Sequence, residues 1–272
     1  MLDIIIERIK QKKHTIKFPD ENIILPPNYR GLPTISDPSN CRKCQNKICK
    51  EQCPTKAILT TTAQAEQIKI DLGKCIFCLQ CIKSCPSNTI SFLDEYRLST
   101  SKRTDLLFSP HLNKSEYKLA NSLQKQSLKI FGRSLQLREV SAGGCNACEA
   151  DTNVLNTLAF DLGRFGIKFV ASPRHADGIL VTGPVTKNMH LALIKTYNAI
   201  PSPKFVVAVG ACAISGGLFQ NLPSTYNGFD DGDDDELKNI SVDLYIPGCP
   251  PHPLTILDGL IRLLGKTTLK QL

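Results

Sequence analysis

The sequence predicts an α/β fold: a doubly wound parallel sheet in the C-terminal half, joined to a smaller α+β module in the N-terminal half. Three observations predict it. From residue 134 onward, apolar runs rich in Val and Ile alternate with helical stretches, the pattern of a parallel sheet covered on both faces. Before that point, eight of the 12 cysteines fall within residues 41–85, among strand pieces too short to build a core alone. The length of 272 residues accommodates two domains of ordinary size.

Residues 1–40 read as an arm. Leu2, Ile5, Ile6 and Ile9 form one helical stripe, after which Pro19, Pro26, Pro27, Pro33 and Pro38 oppose regular structure. Residues 41–95 form the cysteine-rich module, with strands expected at 68–70 and 89–92. Residues 96–133 are a polar connector in which Tyr117, Ala120, Leu123, Leu128 and Phe131 predict a helix. In 134–272, strands are expected at 134–140, 167–171, 178–182, 204–210 and 242–246. Helices at 149–162, 187–199 and 253–264 each offer Leu or Ile on one face.

The cysteines divide into three groups of four. Cys41, Cys44, Cys49 and Cys53-Pro54 form the first run; Cys75, Cys78, Cys81 and Cys85-Pro86 form the second, which matches C-x2-C-x2-C-x3-C-P. Two such runs read as a bacterial-type, two-cluster 4Fe-4S ferredoxin module. Three thiolates on one tight loop cover three corners of a cubane, and the fourth corner faces away. The ligands therefore cross over: Cys41, Cys44, Cys49 and Cys85 for one cluster, Cys75, Cys78, Cys81 and Cys53 for the other. An internal repeat supports this, since Cys49-x3-Cys53-Pro54-x3-Ile58 recurs 32 residues later as Cys81-x3-Cys85-Pro86-x3-Ile90. Ile58 and Ile90 are expected to pack as paired core residues. The first loop departs from the pattern, with four residues between Cys44 and Cys49 in place of two. Zinc sites, which favour two C-x2-C pairs on separate knuckles, and disulfides are the alternatives.

The remaining cysteines are Cys145, Cys148, Cys212 and Cys249, each just after a predicted strand. In an open parallel sheet the carboxyl ends of the strands share one edge, where such folds bind ligands. Four thiols distant in sequence are thus expected to converge on a third 4Fe-4S cluster, with adjoining glycines letting the backbone approach it. The competing reading makes Cys145 and Cys148 a redox dithiol and leaves Cys212 and Cys249 as core residues. Iron content separates the two: three four-iron clusters call for twelve irons per chain, the dithiol reading for eight.

Charge is uneven. Residues 1–133 carry 22 Lys and Arg against 12 Asp and Glu, whereas 134–272 carry 11 against 13, within a formal net charge of +8. An oxidised four-thiolate cubane carries roughly two negative charges that formal counting omits, so the basic excess offsets the clusters. Arg42, Lys43, Lys47 and Lys50 are interleaved with ligands and line no helix face, which argues against a nucleic-acid partner. No G-x-G-x-x-G or Walker A sequence occurs, so no nucleotide site is expected. There is no secretory h-region after Met1 and no membrane-length apolar run, which predicts a soluble, cytoplasmic chain. Thiolates held by metal fit that reducing compartment.

Residues 134–272 resemble the small, cluster-bearing subunit of energy-converting (group 4) nickel-iron hydrogenases and its homologue, the complex I 20 kDa subunit. The resemblance rests on Cys145-x2-Cys148 followed by Glu149 and Asp151, on Ser172-Pro173-Arg174-His175-Ala176-Asp177, on Val181-Thr182-Gly183-Pro184-Val185-Thr186, on Gly210-Ala211-Cys212, and on Pro247-Gly248-Cys249-Pro250-Pro251. In the complex I branch the first two cysteines are usually adjacent, so their spacing here is similar to the hydrogenase branch, although Ala147 stands where that branch commonly has Gly. With the ferredoxin module in front, the chain resembles two subunits of formate hydrogenlyase-type complexes joined in one polypeptide. The resemblance implies a flavodoxin-like sheet and an electron-transfer role without bond chemistry, through three 4Fe-4S clusters. Expected partners are a large hydrogenase-like or complex I 49 kDa-like subunit, membrane-arm subunits, and an electron donor or acceptor protein. Such a chain would sit peripherally on the inner face of the cytoplasmic membrane. The alternatives are a freestanding ferredoxin-like carrier and a quinone-linked complex whose partner lacks nickel.

Four further residues have competing roles. Glu149 and Asp151 open a helix and complement its positive end, or relay protons beside a partner's active site. Arg174 and His175, ahead of Asp177, form an interface ion pair or tune a nearby cluster or quinone-like pocket. His252 reads as an N-terminal helix residue, and the acidic run from Asp230 to Glu236 as a solvated loop without the EF-hand pattern.

Overall fold

Runs of Val, Ile and Leu that end at glycine or polar turns give the C-terminal sheet. In the computed structural model, which describes residues 2–19, 23–44, 47–60, 68–109, 117–123, 131, 134–230 and 235–267, these runs become β6 (Leu135–Ser141), β7 (Ile167–Phe169), β8 (Gly178–Thr182), β9 (Phe205–Val209) and β10 (Leu244–Ile246). All pair in parallel, in the order β10-β9-β8-β6-β7. From the other edge that is second, first, third, fourth, fifth, the flavodoxin-like doubly wound arrangement. The residues of β8 and β9 are buried throughout, as continuous apolar strands in a two-sided sheet must be.

Alternate strand residues feed two cores. Leu135, Leu137, Leu180, Phe205, Val207 and Val209 pack with the C-terminal helix (Pro253–Leu263). Val140, Ile179, Val181, Val206 and Ala208 face the other way, into a core that also holds Leu72, Phe77, Ile58 and Ile90 of the cysteine-rich module. Ile58 and Ile90 are each 3% exposed, so both repeat positions lie in that shared core.

The N-terminal half builds two small antiparallel sheets. Pro33–Ile35 (β1) pairs with Ile90–Phe92 (β4), and Ile58–Thr60 (β2), Ile68–Asp71 (β3) and Leu107–Phe108 (β5) form the other. The expectation that prolines keep 1–40 irregular is corrected at β1, where Pro33 occupies the first position of an edge strand and forfeits no ladder bond inside a sheet. The stripe of Leu2, Ile5, Ile6 and Ile9 lies on a helix at Leu2–Gln11, whose apolar residues are exposed.

Other boundaries moved for local reasons. The helix expected at 149–162 spans Ala147–Val154, after which Leu155, Asn156 and Thr157 close short turns onto Thr152, Asn153 and Val154. The predicted connector helix is absent from 117–123, which lies along its neighbours instead. Ala120 N–H donates to Ser99 C=O, Leu123 N–H to Leu263 C=O, and the buried Tyr117 hydroxyl to Leu98 C=O. Leu128 lies outside the described residues. Tertiary pairing outcompetes a weak periodicity there.

The module is pinned to the sheet domain by polar bonds. Arg103 donates to Asp71 at 2.8 and 2.6 Å and to Asp230 at 2.7 and 2.8 Å. Asp230, expected in a solvated loop, is thus an ion-pair partner. The Ser215 hydroxyl donates to Gly73 C=O at 2.9 Å.

Candidate metal centres

Each loop of the module ends in a one-turn helix whose second residue is a cysteine, Cys49 in Ile48–Glu51 and Cys81 in Gln80–Lys83. The tight turn aims several thiols at one centre. Cys41, Cys44, Cys49 and Cys85 line one hollow. Cys53, Cys75, Cys78 and Cys81 line another. The fourth cysteine of each run is therefore delivered to the hollow of the other run. Backbone N–H groups point at the sulfurs: Ala57 N–H donates to Cys53 Sγ at 3.3 Å and Phe77 N–H to Cys75 Sγ at 3.4 Å. The Thr89 hydroxyl lies 3.5 Å from Cys85 Sγ.

The third set is assembled by the sheet. Cys145 and Cys148 follow β6, Cys212 sits in the helix Gly210–Ser215 that follows β9, and Cys249 follows β10. Their mutual influence shows that they converge: burial pushes the Cys212 thiol up to about 12, and Cys249 and Cys145 push it in the same direction. Cys148 is raised further still by burial, then by Cys212, Glu149, Cys249 and Cys145. Glycine is required beside them. A Cβ on Gly210, whose φ is +87°, would stand 2.6 Å from Cys148 Sγ, and one on Gly217 would stand 2.9 Å from Cys212 Sγ. Cys145 and Cys249 are exposed, so this centre opens to the surface.

The donor chemistry fits iron-sulfur groups. All twelve cysteines are free thiols. Each of the two module hollows is lined by four cysteines, the number of thiolates that a 4Fe-4S group takes at its corners. Burial also raises Cys49 and Cys81 to about 11 and Cys75 to about 12. As bare groups they keep their protons, and a metal that replaces the proton relieves that cost. Cys85 runs the other way: burial would raise it, but the Thr89 hydroxyl and the backbone N–H groups around it lower it overall.

Ile76 and Phe77, between Cys75 and Cys78, line one cleft with Cys249. Cys249 is raised by burial, by Cys145 and then by Cys78 of the second hollow. The loop of Ile76 and Phe77 is held by Arg30, which donates to Phe77 C=O at 2.8 Å.

The remaining candidates have settled places. Glu149 lies in the first turn of its helix, but its carboxylate turns inward and accepts from the Thr182 hydroxyl at 2.6 Å. Asp151 is raised by burial and lines a cleft with Arg30, Cys249 and His252. Arg174 and His175 are on a 3₁₀ turn at Pro173–His175, with His175 exposed, while Asp177 accepts from Gln136 N–H at 2.7 Å. His252 caps the last helix, its Nδ1 accepting from Leu254 N–H. Sequence reasoning missed Glu139, whose Oε1 is buried without a hydrogen bond and whose carboxyl is raised to about 7 by burial and by Glu149. Its place in a strand gave no signal of the opposing carboxylate.

Comparison with known proteins follows the same division. The 4Fe-4S dicluster domain matches residues 34–89, which contain the first eight cysteines. The NADH ubiquinone oxidoreductase 20 kDa subunit family matches residues 145–263, which contain the other four. A probable membrane-bound hydrogenase subunit of Pyrococcus furiosus is 42% identical over 155 residues, 57% of this chain and 88% of that protein. The chain belongs to the NADH ubiquinone oxidoreductase 20 kDa subunit family. Within this family, the chain is 47% identical over 124 residues to an NADH-quinone oxidoreductase subunit of Citrifermentans bemidjiense, covering 45% of this chain and 68% of that one. Formate hydrogenlyase subunit 7 of Escherichia coli is 42% identical over 144 residues, 53% of this chain and 54% of its own length. The 20 kDa family match and the dicluster match do not overlap, so this chain carries both on one polypeptide.

Proposed function

We propose that this chain is the iron-sulfur electron-transfer subunit of a hydrogenase-type or complex I-like oxidoreductase, with three 4Fe-4S clusters. The ligand sets are Cys41, Cys44, Cys49 and Cys85; Cys75, Cys78, Cys81 and Cys53; and Cys145, Cys148, Cys212 and Cys249. The observation that carries this reading is the gathering of three cysteine quartets, with Cys249 of the third sharing a cleft with Ile76 and Phe77, which stand between Cys75 and Cys78 of the second. When bound, the clusters supply reversible one-electron chemistry.

The protein's own residues hold the separations fixed. Ser215, three residues after Cys212, bonds the carbonyl of Gly73, two residues before Cys75. Arg103 and Arg30 fasten the same loop from either side. Amide donors to Cys53 and Cys75 favour the more negative, reduced state.

The exposed edge with Cys145 and Cys249 is where a large catalytic subunit docks, and the module faces an external donor or acceptor. Among the described residues no helix is long and apolar enough to cross a membrane. Attachment to the inner face of the cytoplasmic membrane therefore runs through partner subunits in this reading.

Anaerobically prepared protein tests it. Twelve irons per chain are expected, and replacing Cys212 or Cys249 by Ala removes one reduced-state EPR signal while sparing the other two. Colourless or zinc-loaded protein, or spectra unchanged by both substitutions, overturns it.

A further inference from the structure

The two halves of the module are related by the 32-residue repeat, and one lining position gives their hollows different charge. Lys47 and Leu79 are counterparts: each is the left-handed residue that starts a one-turn helix, with φ, ψ of 40°, 39° and 65°, 8°, two residues before Cys49 and Cys81. Leu79 lines the hollow of Cys53, Cys75, Cys78 and Cys81. Lys47 lines the hollow of Cys41, Cys44, Cys49 and Cys85, and it does so as a buried side chain, 8% exposed. Its ammonium does not reach for solvent as lysines on long stems do. It folds back and donates to Cys41 C=O at 2.9 Å.

The longer first loop, with four residues between Cys44 and Cys49, supplies this cation. Placing it at a left-handed position costs strain that Gly or Asn would avoid, and burying it costs desolvation. Both costs fall on a residue lining the hollow that does not border Cys249, since Ile76 lines both the hollow of Cys53, Cys75, Cys78 and Cys81 and the cleft that holds Cys249.

We propose that Lys47 makes the two module clusters unequal, raising the reduction potential of the group held by Cys41, Cys44, Cys49 and Cys85 above that of its twin. One-electron reduction adds one negative charge inside this hollow; the ammonium stabilises it, no bond forms and no proton moves. The electron therefore rests at the end of the module remote from the sheet-edge centre, where an outside carrier collects or delivers it. The inference rests on the three-cluster reading of the proposed function.

The test is an EPR-monitored redox titration of the full-length, iron-loaded chain with mediator dyes. Lys47→Leu, which copies the counterpart position, is expected to lower the midpoint of one signal by at least tenfold in its reduction equilibrium, about 59 mV for one electron. Lys47→Arg retains the midpoint, and Leu79→Lys raises that of a different signal. Unchanged midpoints in both Lys47→Leu and Leu79→Lys, with full iron content, overturn the inference and leave the cluster assignment standing. If Lys47→Leu fails to load, the Leu79→Lys midpoint decides alone: a rise supports the proposal and no change sinks it. Wild-type protein without iron removes the assignment itself.

Discussion

Single residues at the sheet edge set tolerances of tenths of an ångström. Gly210 sits at φ +87° with Cys148 Sγ only 2.6 Å from where a Cβ would be. Gly210→Ala is expected to cost about 1–3 kcal/mol in backbone strain and to weaken the EPR signal assigned to Cys145, Cys148, Cys212 and Cys249 while leaving the module signals intact. Glu139 carries a different burden. Its carboxyl is raised from 4.5 to about 7, by burial first and then by Glu149. In the folded state it holds a proton that the unfolded chain has already released, so stability declines as pH rises from about 4.5 to about 7. Glu139→Gln should flatten the melting temperature across that window; an unaltered pH profile would refute the assignment.

Among elements, the segment between the two domains is legible only in part. Arg103, in the 3₁₀ turn Arg103–Leu106, joins β3 of the module to Asp230 of the sheet domain. Asp71 is 4% exposed and in Arg103→Ala loses its cation, keeping only the Gly73 N–H at 2.9 Å. A loss on the order of 2–4 kcal/mol is expected, short of the figure for a fully enclosed pair because the guanidinium is 20% exposed. Chemical denaturation measures it. Electron transfer between the module and the sheet-edge centre should slow in the same variant, since the loop before Cys75 is no longer clamped. The helix expected from Tyr117 to Phe131 does not form over 117–123 for a related reason. Tyr117 and Ala120 are core residues, placed there by a segment whose backbone pairs with Ser99 and Leu263.

At the scale of the whole molecule, two cores separated by the parallel sheet explain why the chain is one unit. The face of β6, β8 and β9 that carries Val140, Ile179, Val181, Val206 and Ala208 shares its core with the module. Of the basic residues of 1–133, Lys47 lines one hollow, and Lys50 and Lys83 sit in the one-turn helices that carry Cys49 and Cys81.

The amino-acid sequence by itself determined the strand and helix alternation, the doubly wound α/β class and the grouping of the cysteines along the chain. These are encoded by local periodicity and by distances along single loops, which survive without knowledge of long-range contacts. Only the tertiary structure decided that the module seats against one face of the parallel sheet and that Cys249 shares a cleft with Ile76 and Phe77. It likewise turned Lys47 inward and opposed Glu139 to Glu149. Such pairings depend on how strands stack and which side of a loop is buried, and residues far apart along the chain carry no local record of it.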